Sequence, residues 1–466
     1  MAFKYDINSA KKDKVSSVCL LTTHSISEII NMLVSTFLVG HIYGFCNNNA
    51  YTYIFNVGVY YLTLYIVSIV VHLILGPLVD KTNRVWLYRI SLLMRAGLIV
   101  VCVFLGNNLA QMLVLAGILS GISEGFYYAA YNTMKQEMVS RTSIGKYVTL
   151  SMVLQKFVYI VFPITMGALI DISSYSTVAI YVLVIAIIQI GISFGIKSRK
   201  PEGSHFDLKG YFVKLKENPE IGKKMKMLYI AAIPYGLGTI VGVLLNVSIM
   251  LQFEKSFDLG WLTTVFSIVS ALFIIVINKL TKKGERSWLF VVTGILPLIG
   301  SISFSVYPGI ITIIIYNICN AISNITYKTV YDIYRNGNLK EAGLYSEIQE
   351  HQTFTEVVFN GMRVIAFALM LISGLVKNII FFKVFLCICS LTYTFTLIAL
   401  MIYEKKFPPA KLELQAETAL KKPILAVDDK NILEQVENIK SQEVNELPTE
   451  NLKKKPSKKE GEKNNK

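Results

Sequence analysis

The sequence predicts an all-α polytopic membrane protein with about twelve transmembrane helices, and three observations predict it. Of the 466 residues, 53% are hydrophobic and only 17% charged, with a mean hydropathy of +0.51. Soluble domains carry roughly 25% charged residues and lack long uncharged apolar runs. Here such runs recur along the chain, each near the ~20 residues that cross a bilayer. The segments between them alternate between basic and nearly charge-free.

The first run, near residues 17–43, follows a basic N-terminal segment (1–16, with Lys4, Lys11, Lys12 and Lys14). No small-residue cleavage site intervenes, so no cleaved signal is expected. Five more runs follow near 50–75, 86–107, 109–134, 147–173 and 175–196, and together they make an N-terminal six-helix bundle over 17–196. Residues 197–226 are polar and basic. The stretch FDLKGYFVKLKENPEIGKKMKM sets Phe206, Tyr211, Phe212 and Leu215 among lysines, the pattern of an amphipathic helix lying on anionic lipid. A second six-helix bundle spans 227–403, with runs near 227–250, 258–280, 287–307, 309–335, 352–376 and 378–403. The charged tail, 404–466, holds too little apolar content to bury and is expected to be disordered.

The formal net charge is +15. Its placement points to lipid headgroups and topology rather than nucleic acid. One set of loops carries Lys81 and Arg84; Lys135, Arg141 and Lys146; Lys197, Arg199 and Lys200; Lys279, Lys282, Lys283 and Arg286; Arg335 and Lys340. The other set reads HIYGFCNNNA, GNN, DISSYS, FEKSFD and SVYPG, with Lys255 and Lys377 almost its only bases. Cationic loops are retained in the cytoplasm. Both termini and the linker are therefore expected there, in a multi-pass protein of the cell membrane. Six cysteines (19, 46, 102, 319, 387 and 389) show no C-x-x-C spacing and read as small hydrophobes.

After the second run the chain reads Gly76-Pro77-Leu78-Val79-Asp80-Lys81-Thr82-Asn83-Arg84. This resembles the G-x-L-a-D-[RK]-x-G-[RK] signature between helices 2 and 3 of the major facilitator superfamily. Gly76, Leu78, Asp80, Lys81 and Arg84 match, and Asn83 replaces a glycine, as the residue next most tolerant of left-handed backbone. The resemblance implies two pseudo-symmetric six-helix bundles rocking about a midplane site. It further implies that Asp80 steadies one state by meeting the N-terminus of helix 11, where Thr353-Phe-Thr-Glu356 forms a capping-box pattern. The corresponding second-half loop has lost the Gly and Asp positions. Pro163 and Gly167 in helix 5, and Gly121-Ile-Ser-Glu124-Gly125 in helix 4, are degraded echoes of patterns from antiporters of this superfamily. Both departures weaken a drug–proton antiport reading.

Charge at mid-bilayer costs roughly 2.5–3.5 kcal/mol on insertion scales and faces a cavity or a partner. Glu28, Glu124, Lys156, Arg363 and Asn324 share one depth, ~14–17 Å from the cytoplasmic edge at 1.5 Å per residue. They are the candidate solute site. His24, Glu28 and Asn31 fall on one face of helix 1, where a His–Glu pair serves either proton coupling or packing. Glu124 and Lys156 either neutralise each other or face solute. Tyr128, Tyr131 and Asn317 extend the lining, which suits a polar or amphiphilic organic solute better than a bare ion. Pro234, Gly236 and Gly238 in helix 7 form either a gating hinge or a tolerated kink.

The expectation is thus a secondary transporter of a small organic solute, with proton coupling open. It needs no cofactor or metal, has membrane lipid as its surroundings, and works as a monomer. Alternatives are a lipid or lipid-linked-sugar flippase on the same fold, and a non-transporting sensor or scaffold. No H-E-x-x-H, G-x-S-x-G, midplane Asp pair or phosphate-binding G-x-x-x-x-G-K-[ST] is present, which argues against an enzyme and an ATP-driven pump.

Overall fold

The computed structural model describes residues 7–46, 49–104, 109–138, 144–197, 206–281, 287–341 and 347–407, so the charged tail beyond 407 lies outside it. The first predicted run is α1 (Ile7–Met32), a π-helical turn (Leu33–Phe37) and α2 (Leu38–Gly44). The rest of the first half is α3 (Ala50–Lys81), α4 (Arg84–Val103), α5 (Leu109–Met138), α6 (Ile144–Ile172) and α7 (Tyr175–Ser193). A linker helix, α8 (Leu208–Glu217), leads into the second half. That half comprises α9 (Pro219–Phe253), α10 (Ser256–Thr281), α11 (Ser287–Val306), α12 (Ile310–Glu341), α13 (Ile348–Val376) and α14 (Ile379–Lys406). Among the described residues, eleven helices are long and apolar enough to span a membrane, and the apolar segment Phe290–Val306 falls just short of that length. The protein is an all-helical, multi-pass membrane protein with about the twelve crossings expected.

Short polar residues start the helices where the chain turns sharply, because the first backbone N–H groups of a helix need an acceptor. Asn49 accepts from Tyr51 and Thr52, Asn83 from Val85, Ser174 from Thr177, Asn218 from Ile221 with Pro219 at the first helical position, and Asn378 from Ile380 and Phe381. Asn83 does this in extended backbone (φ −61°, ψ 110°), so it stands in the glycine position as a helix cap and not as a left-handed residue.

Helices in lipid associate through close packing, so small residues collect where backbones meet. Gly117, Gly121 and Gly125 recur every fourth residue down one face of α5, against α3. A Cβ on Gly117 would sit 2.8 Å from the Tyr60 carbonyl oxygen, one on Gly121 would strike the Leu64 carbonyl, and one on Gly125 would strike Val71. The Gly-Ile-Ser-Glu-Gly stretch of helix 4 is therefore a packing stripe that also sets where Glu124 lies.

The two halves meet chiefly along α3 with α13 and along α6 with α10. At the end away from α8 these seams are tight. Gly374 packs on the Phe55 and Tyr51 backbone, and Gly167 on the Ser256 carbonyl, 2.6 Å from where a Cβ would be. Gly260 packs on the Pro163 carbonyl. Pro163 and Gly167, read from sequence as an antiporter echo, thus form a notch for α10. The far end of α6 also caps α10: Asp171 accepts from the Ser256 (3.2 Å) and Phe257 (3.0 Å) amides, with its carboxylate at the positive end of that helix. Nearby, Tyr43 donates to Glu254 (3.2 Å), the left-handed residue (φ 63°) that ends α9.

Gly121→Ala is expected to lower stability by about 1–3 kcal/mol through overpacking against the α3 backbone. Gly97→Ala, where a Cβ would meet nothing within 4 Å, is the neutral control. Thermal melts of the purified variants check this pair, and equal melting temperatures would remove the packing role of the stripe.

Candidate substrate cavity

The interior of the first half is polar. Gln189 on α7 donates to the Thr23 carbonyl (2.7 Å) and the Ser27 hydroxyl (2.6 Å), and Tyr88 donates to Thr23 (2.8 Å). His24 bonds the Tyr127 hydroxyl through Nδ1 at 2.6 Å and stacks on Tyr131 with ring centroids 4.4 Å apart. Glu28, only 7% exposed, accepts from Tyr159 (3.2 Å) and faces Gln155. The recorded partners of His24 and Glu28 are therefore tyrosines and a glutamine on other helices rather than each other. Hydrogen bonds to neutral donors satisfy both groups inside the bundle. Asn31, one turn beyond Glu28, is half-buried. The π-helical turn that follows frees the Ser35 carbonyl, which accepts from Tyr61 (2.9 Å).

Arg95 on α4 was not among the residues singled out from the sequence, yet it interrupts an apolar run just as Arg363 does. It is 3% exposed, lies over the Tyr127 ring at 4.8 Å, and has one terminal nitrogen without a hydrogen-bond partner. Its charge acts on His24, Glu28 and Glu124. Tyr128 lies within electrostatic reach of both glutamates and keeps 36% of its surface accessible.

The glycine stripe of α5 brings Glu124 beside Tyr60, Tyr61 and Tyr65 of α3, and across the seam to Arg363 of α13. Arg363 donates to Asn360 (2.8 Å) and to Thr239 of α9 (3.3 Å) and lies 5.1 Å from the Tyr65 ring centroid. Asn360 in turn donates to Ser68 of α3 (3.1 Å). One polar chain thus runs from the first half to the second. The charges of Arg363 and Arg95 act on Glu124, and among the described residues no ion pair joins it to Lys156, so the structure does not show those two neutralising each other.

In the second half, Asn317 is spent on its own helix, donating to the Ile313 carbonyl (2.9 Å), while the Oδ1 atoms of Asn320 and Asn324 are buried without a partner. Tyr235, Tyr327, Tyr331, Tyr393 and Phe359 pack as an aromatic core below them. Helix α9 runs unbroken through Pro234. Gly236 packs on the Phe359 carbonyl of α13 and Gly238 against Thr392 of α14, so these glycines serve close approach.

At the linker side, α13 begins at Ile348, before the expected cap. Thr353 therefore sits inside the helix, and Glu356 pairs with Arg335 (3.6 Å) instead of closing a capping box. Upstream residues extend the helix because their side chains are held. Lys214 of α8 pairs with Glu347, the Asp207 amide donates to Glu350 (2.9 Å), and His351 bonds Tyr229 (2.9 Å) and Tyr211 (3.3 Å). The linker helix consequently buries Tyr211 and Leu215 against α9 and α13, where the sequence suggested a helix resting on lipid. Burial pushes the Tyr211 phenol up to about 12. Gly76 lets this layer close: a Cβ there would lie 2.8 Å from Phe206 and 3.3 Å from Thr353. Arg84 is buried and donates to the Val79 carbonyl (3.4 Å). The side chains of Asp80 and Lys81 lie outside the described residues.

Removing the cross-seam guanidinium should be costly. Arg363→Met is expected to destabilise by about 1–3 kcal/mol, since Asn360 and Glu124 lose a charged partner. Adding Glu124→Gln should recover at least ~0.5 kcal/mol of that loss. Strict additivity in chemical or thermal melts would disconnect the two residues.

The model of the Major Facilitator Superfamily matches residues 20–334, from the first span through most of the tenth. Among curated proteins none matches. Of solved structures, the nucleoside transporter NupG superposes with a TM-score of 0.56 at 13% identity, covering 83% of this chain and 99% of that one. A bacterial homologue of the iron transporter ferroportin gives 0.60 at 12% identity in its inward-facing state, covering 86% and 99%. Its outward-facing state gives 0.56 at 13%, covering 84% and 99%. At these identities the likeness speaks for the fold alone. The family match, spanning well over half the chain, establishes that this protein belongs to the Major Facilitator Superfamily of membrane transporters.

Proposed function

We propose that this transporter carries a small organic solute through the midplane cavity by alternating access, with Glu28 as the group that takes up and releases a coupling proton. The observation that supports the reading is the approach of charged and polar groups from both halves: Glu28, Glu124 and Tyr128 act on one another within the first half, and Arg363 of the second half acts on Glu124 and reaches Ser68 of the first through Asn360. Charge is retained within a bilayer only where function or pairing offsets its cost. Glu28 fits the proton role because it is buried and its hydrogen-bond partners, Tyr159 and Gln155, are neutral.

The Asp171 cap on α10 and the Tyr43–Glu254 bond close the far side, and the Phe206–Gly76–Thr353 layer closes the linker side. Alternation would break one set while the other holds. The loop charges support a cell-membrane orientation with linker and termini in the cytoplasm, and lipid surrounds a single-chain carrier.

Proteoliposomes test the proposal with a radiolabelled solute panel. An inward pH gradient should drive accumulation by the wild type. Glu28→Gln should lose gradient-driven accumulation by at least ten-fold and keep solute counterflow. Accumulation that ignores the gradient in the wild type would remove the proton from the mechanism.

A further inference from the structure

The start of α13 is gripped on two faces. Glu347, Glu350, His351 and Phe354 recur at the three- and four-residue spacing of one helix face, and all four meet the linker. Lys214 pairs with Glu347, the Asp207 amide donates to Glu350 (2.9 Å), and the Tyr211 hydroxyl bonds His351 (3.3 Å). The Phe212 ring stands edge-on to Phe354, with centroids 5.0 Å apart. Tyr229 of α9 completes the seat by bonding both Tyr211 (2.6 Å) and His351 (2.9 Å). Gln349 and Thr353, one turn apart, face the first half. Thr133 of α5 donates to Gln349 (3.0 Å), and the Thr353 methyl lies 3.3 Å from where a Cβ on Gly76 of α3 would be.

Phe206 joins the two faces. It precedes Asp207, whose side chain caps α8 by accepting from the Gly210 amide (2.9 Å). An apolar residue just before a helix cap ordinarily packs back on its own helix. Here the ring tip reaches α3, where its Cζ and Cε2 would lie 2.8 and 3.0 Å from a Cβ on residue 76. The contact exists because that residue is glycine. The two attachments differ in kind. An ion pair and three hydrogen bonds hold α8 to the second half. At this end α13 and Phe206 meet the first half through one neutral hydrogen bond and van der Waals contact, which part more readily.

We propose that the linker helix is a latch carried by the second half, with Phe206 as its bolt: seated in the notch at Gly76, the ring biases the carrier toward the state closed on the linker side. This rests on the alternating-access reading above and names the device that regulates it. During alternation α8 stays on α13 and α9, while the Phe206–Gly76 contact and the Thr133–Gln349 bond separate. The connection between the halves thus takes part in the gate as well as tethering it.

The test is double electron–electron resonance between paired spin labels on the full-length chain in nanodiscs, with its native cysteines replaced. Lys209→Cys with Leu150→Cys spans the linker side, Ile172→Cys with Tyr307→Cys spans the far side, and Lys209→Cys with Lys226→Cys lies within the second half; all five positions are exposed. Phe206→Ala should raise the ratio of longer to shorter linker-side distances at least five-fold and leave the Lys209–Lys226 distance unchanged. Phe206→Leu should restore most of the closed population. Gly76→Ala, whose methyl displaces the ring, should act like Phe206→Ala and add nothing when combined with it. Linker-side distances that ignore Phe206, or a Gly76→Ala effect that is the same in both backgrounds, would overturn the latch and leave the transport reading standing. Movement of the Lys209–Lys226 pair together with the linker-side pair would show α8 leaving its seat and likewise overturn it. A single unchanging distance for both the linker-side and far-side pairs in every variant would overturn both readings.

Discussion

Inside a bilayer no water stands ready to satisfy a polar group, so every charge and hydrogen-bonding atom must find its partner within the protein. That constraint organises this molecule. The long apolar faces are left to lipid, and the few ionisable residues that interrupt them are drawn inward. There they meet tyrosines, asparagines and one another. The chain Ser68–Asn360–Arg363–Thr239, with Glu124 facing it, is the clearest result: five side chains from four helices whose mutual satisfaction crosses the boundary between the two halves.

The same constraint governs packing. With no hydrophobic drive between helices in lipid, close approach has to supply the association energy, and glycine permits it. The stripe on α5 draws that helix onto α3 and thereby delivers Glu124 to the seam. Gly167, Gly260 and Gly374 tighten the far ends of both interbundle contacts. At those ends the polar contacts between the halves are the Asp171 cap and the Tyr43–Glu254 bond, and further along the same seams the Asn360–Ser68 and Thr264–Ile160 hydrogen bonds join them.

Much of this was legible in the sequence, because bilayer thickness acts as a ruler and loop charge as an independent check. All twelve expected runs correspond to helices, and the cost of placing charge at depth is what singles out Glu28, Glu124, Lys156 and Arg363 in the sequence. Arg95 satisfies the same criterion and was passed over, although it proves central to the first half. What sequence could not supply was pairing. His24 looked suited to Glu28 by spacing along one helix, whereas stronger partners come from α5 and α6. Thr353 looked like a helix start because its local pattern is a capping box. The true start lies earlier, since the linker helix holds Glu347, Glu350 and His351 in place. Tertiary partners override local pattern in both cases. The lipid-facing role expected of α8 failed for the same reason, as an apolar helix face fits protein as well as membrane.

The central claim is that one midplane cavity, lined by Tyr128, is reached in turn from each side of the membrane. Cysteine at that position, in a chain otherwise freed of cysteine, can be labelled with a membrane-impermeant maleimide in sealed vesicles of either orientation. The account predicts labelling of Tyr128→Cys from both sides. Labelling from one side alone, under every condition in which the protein is active, would contradict it.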